Sequence, residues 1–472
     1  MVSLFILAPF ILLLVLNLPF KFLNARIAFW LSAALFLIQV LLALIHSWLP
    51  WSNYSVSLGQ FFKFKLSLDP LALIMLLTIG IVVFVSILVA KSTITTEKRN
   101  FNFINLLLVS FIGMNATVLV TDIFSLYVFV EITAVAVFVL MAIEKNRFAI
   151  EGTFKYLVLS MVASVFILTS IAFFILAAGE ISFAGIHNAF LANSNIIFLN
   201  FAAGLFLCGL FIKCGVVPFH GWVPDAYSEA QSAVSVLLAG IVTKITGIYV
   251  LMRLFSSVFV LKGTFGNVIM LIGIISIVFA ALAAFRQDNI KRMLSYSSIS
   301  QVGYIILAIG CQTPLAILGA VLHFFNHAIS KSLLFVNAAS LEKKFGSTDM
   351  SIITGLGNQL PVTNATSLVG LLSTAGIPPL SGFWSKLIII IALFNARRFV
   401  YGWIALLASV LTLAYFLFME RNVFFIKTEV VPEDKGGIPF SLKFCEVLLA
   451  AITIGVGLGF PFILNSQILQ LH

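Results

Sequence analysis

Runs of about twenty apolar residues, each the length needed to cross hydrocarbon as a helix, recur along this chain with only short polar connections between them. They fall near 2–20, 27–49, 69–90, 101–121, 123–143, 156–179, 199–218, 232–256, 264–284, 294–311, 313–341, 365–396, 400–419 and 441–466. In lipid a helix satisfies its own backbone groups, so a run of this kind has little choice of structure. The expected fold is an all-α integral membrane protein of about fourteen transmembrane helices. Only 9% of the residues are charged, against about 25% in an average soluble chain. The first run, Val2 to Phe20, is itself of spanning length, so a secretory leader is not needed to explain it. The longest polar stretch, Glu420 to Lys443, is only a loop, and no soluble domain is inserted.

The placement of Lys and Arg gives an orientation, because cytoplasmic loops collect cations. Loops after odd-numbered runs hold 17 of them, among them Lys21, Lys91, Lys98, Arg147, Lys155, Lys343, Lys427 and Lys435. Loops after even-numbered runs hold six: Lys63, Lys65, Arg253, Lys262, Arg397 and Arg398. The bias puts the odd loops in the cytoplasm and both termini on the non-cytoplasmic side. It also accounts for the net charge of +10 without nucleic acid.

Four of the 27 basic residues remain, Lys213, Lys244, Lys331 and Lys386, and all four lie inside apolar runs. A lysine at the bilayer centre costs about 2.5–3.5 kcal/mol on insertion scales. A span still inserts with one, but the amine must face protein or water. Four such costs point to an ionic path through the interior.

Two runs are broken by proline. One reads Lys213-Cys-Gly-Val-Val-Pro218-Phe-His220, the other Gly376-Ile-Pro378-Pro379-Leu-Ser-Gly382-Phe-Trp-Ser-Lys386. Proline removes a backbone donor, and in lipid the freed groups must find partners in protein or water. Paired broken helices in two halves suggest inverted repeats with the ion path at the breaks. The expected division is 1–100 (helices 1–3), 101–256 (first five-helix repeat), 264–419 (second five-helix repeat) and 441–472 (helix 14).

The remaining candidates line up with these lysines. Glu131 lies mid-span in Leu126-Tyr-Val-Phe-Val-Glu131 and is expected to pair with Lys213. Desolvation favours the neutral forms of a carboxyl and an amine, whereas pairing favours both charged forms. A pair whose separation can change is therefore a proton switch. Lys244 would be the next cation along the row. His323, His327 and Lys331 share one helical face at i, i+4 and i+8, with Asn326 beside them, and His titrates near neutral pH. Lys386 would close the row. Asp225 and Glu229, after the first break, are loop carboxylates or part of an ion entrance.

Other chemistry is missing. Cys208, Cys214, Cys311 and Cys445 are scattered without metal or disulfide spacing and read as apolar packers. There is no Walker A motif, no strand-borne GxGxxG and no cysteine cluster for iron–sulfur. No cofactor is expected on this chain, and no metal site.

Three long segments occur in order: Val217-Pro-Phe-His-Gly-Trp-Val-Pro-Asp-Ala-Tyr-Ser-Glu-Ala230, Asp288-Asn-Ile-Lys-Arg-Met-Leu-Ser-Tyr-Ser-Ser-Ile-Ser-Gln-Val-Gly303, and His323-Phe-Phe-Asn-His327-Ala-Ile-Ser-Lys331. They resemble signatures of the antiporter-like subunits of respiratory complex I, Mrp-type sodium/proton antiporters and membrane-bound nickel–iron hydrogenases. The segments Phe325-Asn326-His327 through Asn337 and Gly382 to Lys386 are most similar to the hydrogenase and Mrp branch. The resemblance implies the fourteen-helix inverted-repeat fold. It also implies a proton- or sodium-translocating module in a prokaryotic inner membrane, beside other antiporter-like and small Mrp-like subunits or a redox arm with iron–sulfur clusters. By position, Glu131 matches the family's fifth-helix glutamate, Lys213 and Lys244 its seventh- and eighth-helix lysines, His327 and Lys331 its eleventh-helix relay, and Lys386 its twelfth-helix terminal residue. Two departures appear. Gln231 stands where the family usually has proline, and the chain stops after helix 14, without the long lateral extension of the largest complex I member. Two other functional readings fit the same residues: a self-sufficient secondary antiporter, and a scaffold whose buried charges only hold the repeats together.

Overall fold

The computed structural model describes residues 2–18, 24–47, 54–58, 64–193, 195–260, 263–426 and 436–464. Lys21, Lys63, Lys262, Lys427 and Lys435 of the loop count lie outside them, as do the outer ends of the first, second and last apolar runs and the chain's final residues.

The chain opens with α1 (Leu4–Leu16) and α2 (Ala25–Ser47). A short antiparallel ribbon follows, β1 (Tyr54–Leu58) on β2 (Phe64–Leu68), with Tyr54 opposite Leu68; strands this short produce no apolar run of spanning length. Then come α3 (Pro70–Thr93), α4 (Glu97–Leu119), α5 (Ile123–Met141), α6 (Arg147–Ala178), the short α7 (Phe183–Leu191) and α8 (Ile196–Cys214). After the first break come α9 (Trp222–Glu229), α10 (Ser232–Leu237) and α11 (Val250–Ser257), with wide-turned π-helical backbone over Leu238–Val242 and Lys244–Tyr249. The rest is α12 (Gly263–Ala284), α13 (Ile290–Cys311), α14 (Pro314–Phe345), α15 (Pro361–Ala375), α16 (Ser381–Asn395), α17 (Phe399–Glu420) and α18 (Phe440–Leu464), with a π-helical turn at Arg421–Phe425. Among the described residues, twelve stretches are long and apolar enough to cross a membrane, and Leu4–Leu16 and Ser381–Asn395 are shorter apolar helices.

Several helices overrun the apolar runs that signalled them. Lys98 and Arg99 lie in the first turn of α4, Lys155 in α6, Lys291 and Arg292 in α13, and Lys343 and Lys344 in the last turn of α14. Helical hydrogen bonding does not stop where hydrocarbon does, and a long cationic side chain can reach outward from a helix end; Lys291, expected in a loop, is instead buried on α13 and paired with Glu342. Local signals fix these ends. The Asn146 side chain accepts from Ala149 N and starts α6, the Thr313 hydroxyl accepts from Ala316 N ahead of Pro314, and left-handed Gly179 and Gly346 end α6 and α14.

The chain forms two compact units. One comprises residues 1–84, 96–215 and 241–265; the other comprises 85–95, 216–240 and 266–472. In the first, α6 packs along α8 and α4 packs along α5. In the second, α14 is the hub, packed on α10, α13, α15, α16 and α18. The expected run 199–218 is cut short here: α8 stops at Cys214 because Gly215 turns left-handed, at φ +66°, before Pro218. The run 365–396 is two helices, α15 ending on left-handed Gly376 (φ +89°), then Pro378 and Pro379, then α16.

Candidate functional site

In the first unit, α5 and α8 bring Glu131 and Lys213 together. The Lys213 ammonium lies 2.9 Å from Glu131 Oε1; the lysine is 3% exposed and the glutamate 26%. Two hydroxyls one turn apart on α6 complete the arrangement. Lys213 Nζ donates to Ser160 Oγ at 3.1 Å, and Ser164 Oγ donates to Glu131 Oε1 at 2.7 Å. Each member of the pair thus keeps a neutral partner if the other moves away. Breaking a pair without such partners strands a buried charge, which is strongly unfavourable.

Lys244 is fully buried in the same unit, at the start of the second π-helical stretch. That stretch lies against the end of α8 at Gly247, where a Cβ would sit 2.7 Å from Cys214 Sγ and 2.9 Å from Cys214 N. Only glycine lets the Lys244 segment come this close to the residue next to Lys213. Widened turns of this type concentrate at functional sites.

In the second unit, His323, His327 and Lys331 occupy one face of α14 and all are buried. The two imidazoles lie 6.4 Å apart, nearly parallel at 14°. His323 Nδ1 faces Ser385 Oγ at 2.9 Å, and its Nε2 is buried with no hydrogen-bond partner among the described residues. His327 Nε2 lies 3.1 Å from Ser298 Oγ. Lys331 Nζ donates to Ser297 Oγ at 2.6 Å and to the Leu294 carbonyl at 3.3 Å, and Tyr415 OH donates to the same Ser297 hydroxyl at 2.7 Å.

Lys386 sits on α16, past the second break. Its amine donates to the Ala375 carbonyl at 3.3 Å and lies 4.6 Å from the centre of the Tyr304 ring. Ala375 is the last residue of α15, so the amine faces the negative end of a half-helix, a favourable place for a cation. Asn326 ties the break to α14, with its Oδ1 accepting from Ser373 Oγ at 2.9 Å and Ser381 Oγ at 2.6 Å. The freed polar groups at the break are thus met by protein, as lipid requires.

Of the two candidate entrance carboxylates, Asp225 accepts from Arg292 Nη1 at 2.7 Å and Glu229 accepts from Ser228 Oγ at 3.1 Å. Both are on α9, beside the break that holds Pro218. Sequence reasoning missed the hydroxyl partners. Ser160 and Ser164 carry a faint signal, an i, i+4 pair in an apolar run. Ser297, Ser298 and Tyr304 lie in or just beyond the serine-rich segment from Asp288 to Gly303. A further missed set is Asp69, Arg253 and Tyr249. Asp69 accepts two hydrogen bonds from the Arg253 guanidinium, which also donates to Tyr249 OH at 2.9 Å, and Tyr249 OH donates to the Val118 carbonyl at 2.7 Å. Burial pushes the Asp69 carboxyl up, but Arg253 outweighs it and holds the group below the usual aspartate value.

Buried ion pairs and amines inside apolar helices define a multi-pass membrane protein built around ionisable groups. Residues 120–412 match the model of the NADH:quinone oxidoreductase/Mrp antiporter transmembrane family, and the chain belongs to that family. It is 30% identical over 397 residues to a Na(+)/H(+) antiporter subunit of Alkalihalophilus pseudofirmus, covering 84% of this chain and 80% of that one. A chain of the archaeal membrane-bound sulfane sulfur reductase superposes with TM-score 0.88 at 27% identity, covering 98% of this chain and 95% of that one. A chain of the Mrp complex from Dietzia shares the fold at TM-score 0.89 and 23% identity, over 98% of this chain and 95% of that one. The chain is an antiporter-like membrane subunit.

Proposed function

We propose that this subunit translocates protons or sodium ions across the membrane through its buried ionisable residues. The first unit contributes Glu131, Lys213 and Lys244; the second contributes His323, His327, Lys331 and Lys386. Pro218 and Pro378 mark the helix breaks, and Asp225 and Glu229 stand by the first of them as entrance residues. The observation that carries this reading is the Glu131–Lys213 pair, formed between α5 and the last turn of α8 and held between two hydroxyls of α6.

The chemistry is charge coupling. Paired, the carboxylate and the ammonium hold each other charged; apart, in a dry interior, each favours its neutral form. Opening the pair lets the lysine release a proton and the glutamate take one up, with Ser160 and Ser164 stepping in as partners. On the second unit, parallel imidazoles one turn apart suit stepwise proton transfer toward Lys386.

The subunit works inside a larger membrane assembly. Its structural relatives belong to an Mrp complex and to an archaeal respiratory complex, and its motifs resemble those of the Mrp and hydrogenase branch. We assign it to a prokaryotic cell membrane with about fourteen crossings, two inverted repeats and both termini outside. It holds no cofactor of its own, and a redox arm or small Mrp-like subunits drive it. The test is ion pumping by the assembled complex in native vesicles, normalised to complex content. Glu131→Ala and Lys213→Ala are each expected to abolish pumping while assembly persists. Full pumping in both would remove these residues from the path.

A further inference from the structure

Two buried carboxyls of the second unit take no part in the path just described. Glu420, the last residue of α17, is 1% exposed, and Glu446, on α18, is fully buried. α15 presents a hydroxyl to each from one face. Ser367 Oγ donates to Glu420 Oε2 at 2.8 Å, and Thr363 Oγ1, one turn earlier, lies 3.1 Å from both oxygens of Glu446. Ser340 Oγ of α14 lies 2.5 Å from Glu446 Oε1. Among the described residues no ammonium or guanidinium forms an ion pair with either carboxyl. Glu420 Oε1 is buried with no hydrogen-bond partner among them.

A dry carboxylate without a counter-cation is among the most costly arrangements a protein interior can hold; a proton on the group removes that cost. The surroundings also offer a way to exchange that proton. A small cavity of about 10 Å³ lies next to Ser367, the hydroxyl partner of Glu420, and is lined also by Met419, Val423, Phe424, Leu341 and Asn337. That is about the size needed to hold a single water molecule. Asn337 is 4% exposed and its Nδ2 has no partner among the described residues, while its Oδ1 accepts from Thr366 Oγ1 at 3.2 Å. The backbone right after Glu420 is the π-helical turn Arg421–Phe425, so Met419, Val423 and Phe424 frame the cavity across an irregular segment. The charged groups nearby are Lys443, three residues before Glu446 on α18; Arg421, exposed next to Glu420; and the Lys291–Glu342 pair of α13 and α14. None of them forms an ion pair with either carboxyl, although the Lys443 charge acts on Glu446 from one helical turn away.

We propose that Glu420 and Glu446 form a proton-holding carboxyl pair, bridged by α15, with Glu420 exchanging its proton at the small cavity beside Ser367. The ligand is a proton, and the pair is a store separate from the Glu131–Lys213 switch. The proposal extends the ion-translocation reading, but its first test does not depend on it, because protonation is read from the carboxyls themselves. Infrared difference spectra of the assembled complex in membranes, recorded across a pH step in potassium buffer, should show a protonated-carboxyl C=O band that shifts in D₂O. Glu420→Gln should remove part of this band and Glu446→Gln another part, since the amide mimics the neutral acid in shape. Lys213→Ala should leave both parts in place. Loss of the band in Lys213→Ala alone would assign it to the switch and overturn the pair. Absence of any band lost in the two glutamine variants would also overturn it. A band abolished by sodium at constant pH would make the occupant a sodium ion instead, again against the proposal. If either glutamine variant fails to assemble, labelling of the wild-type complex with dicyclohexylcarbodiimide, which attacks protonated carboxyls in apolar surroundings, decides: modified Glu420 or Glu446 supports the pair, and unmodified residues at both positions reject it.

Discussion

At the scale of single residues, this protein handles buried charge in three ways. Lys213 is paired with a carboxylate, Lys331 and Lys386 lean on hydroxyl and carbonyl oxygens and aromatic rings, and Asp69 is locked to Arg253. The last case gives a direct stability prediction. Asp69 is held below its ordinary value, so its contribution is fully present above the unfolded aspartate value of about 3.9. It is lost as the pH falls through the lower folded value. Removing one partner of a largely buried pair costs about 3–5 kcal/mol, and with Asp69 27% exposed the lower end is expected. Asp69→Asn should therefore lower the unfolding temperature of the detergent-solubilised protein at pH 7, and its stability should change less than that of wild type between pH 5 and strongly acid conditions, pH values taken to bracket the about 3.9 reference. Equal melting temperatures at pH 7 would contradict the assignment. The four lysines were legible in the sequence because each interrupts an apolar run. Their serine partners were not, because a serine in an apolar helix is ordinary until a charge is placed beside it. Glu420 and Glu446 escaped for a related reason: both sit near the ends of apolar runs, where a carboxylate reads as a loop or interface residue.

At the scale of elements, close packing depends on glycine. α12 and α13 meet through Gly266 and Gly273 against Gly310 and Gly303, where an added Cβ would come within 2.7 Å of the facing backbone. Small residues let helix backbones approach where lipid gives no hydrophobic push. Gly303→Leu is therefore expected to destabilise the second unit by about 1–3 kcal/mol, the usual range for overpacking, seen as a lower melting temperature and less assembled complex. A wild-type melt would show that the crossing can yield. Gly247 has the same role for the Lys244 segment, and Gly247→Leu should push that segment off Cys214 and reduce ion translocation per complex. Translocation at the wild-type rate in a well-folded variant would show that the contact does not matter. The sequence signalled both helix breaks through their prolines. It did not signal that α8 ends at Cys214, with left-handed Gly215 three residues ahead of Pro218, nor the wide turns around Lys244. Those depend on packing against neighbours, which a run of apolar letters does not encode.

At the scale of the whole molecule, hydropathy was enough to fix the class, because backbone in lipid has so few options. Outward faces remain apolar, as on α6, where Phe154, Met161, Val165 and Leu176 are exposed. The ribbon β1–β2 and the short α7 were invisible to that reading because they are too short to form a run. If partner subunits drive this chain, as proposed, the purified subunit alone in liposomes is expected to show no sodium/proton exchange. Exchange at rates matching the intact complex would favour a self-sufficient antiporter. The central claim is that the buried amines carry ions instead of merely holding helices together. Lys386→Met tests it most directly, since it keeps the bulk of the side chain and removes the charge. With pumping measured per assembled complex in sealed vesicles, the account predicts normal assembly and a loss of most ion translocation. Impaired assembly with undiminished pumping in the complexes that do form would contradict it.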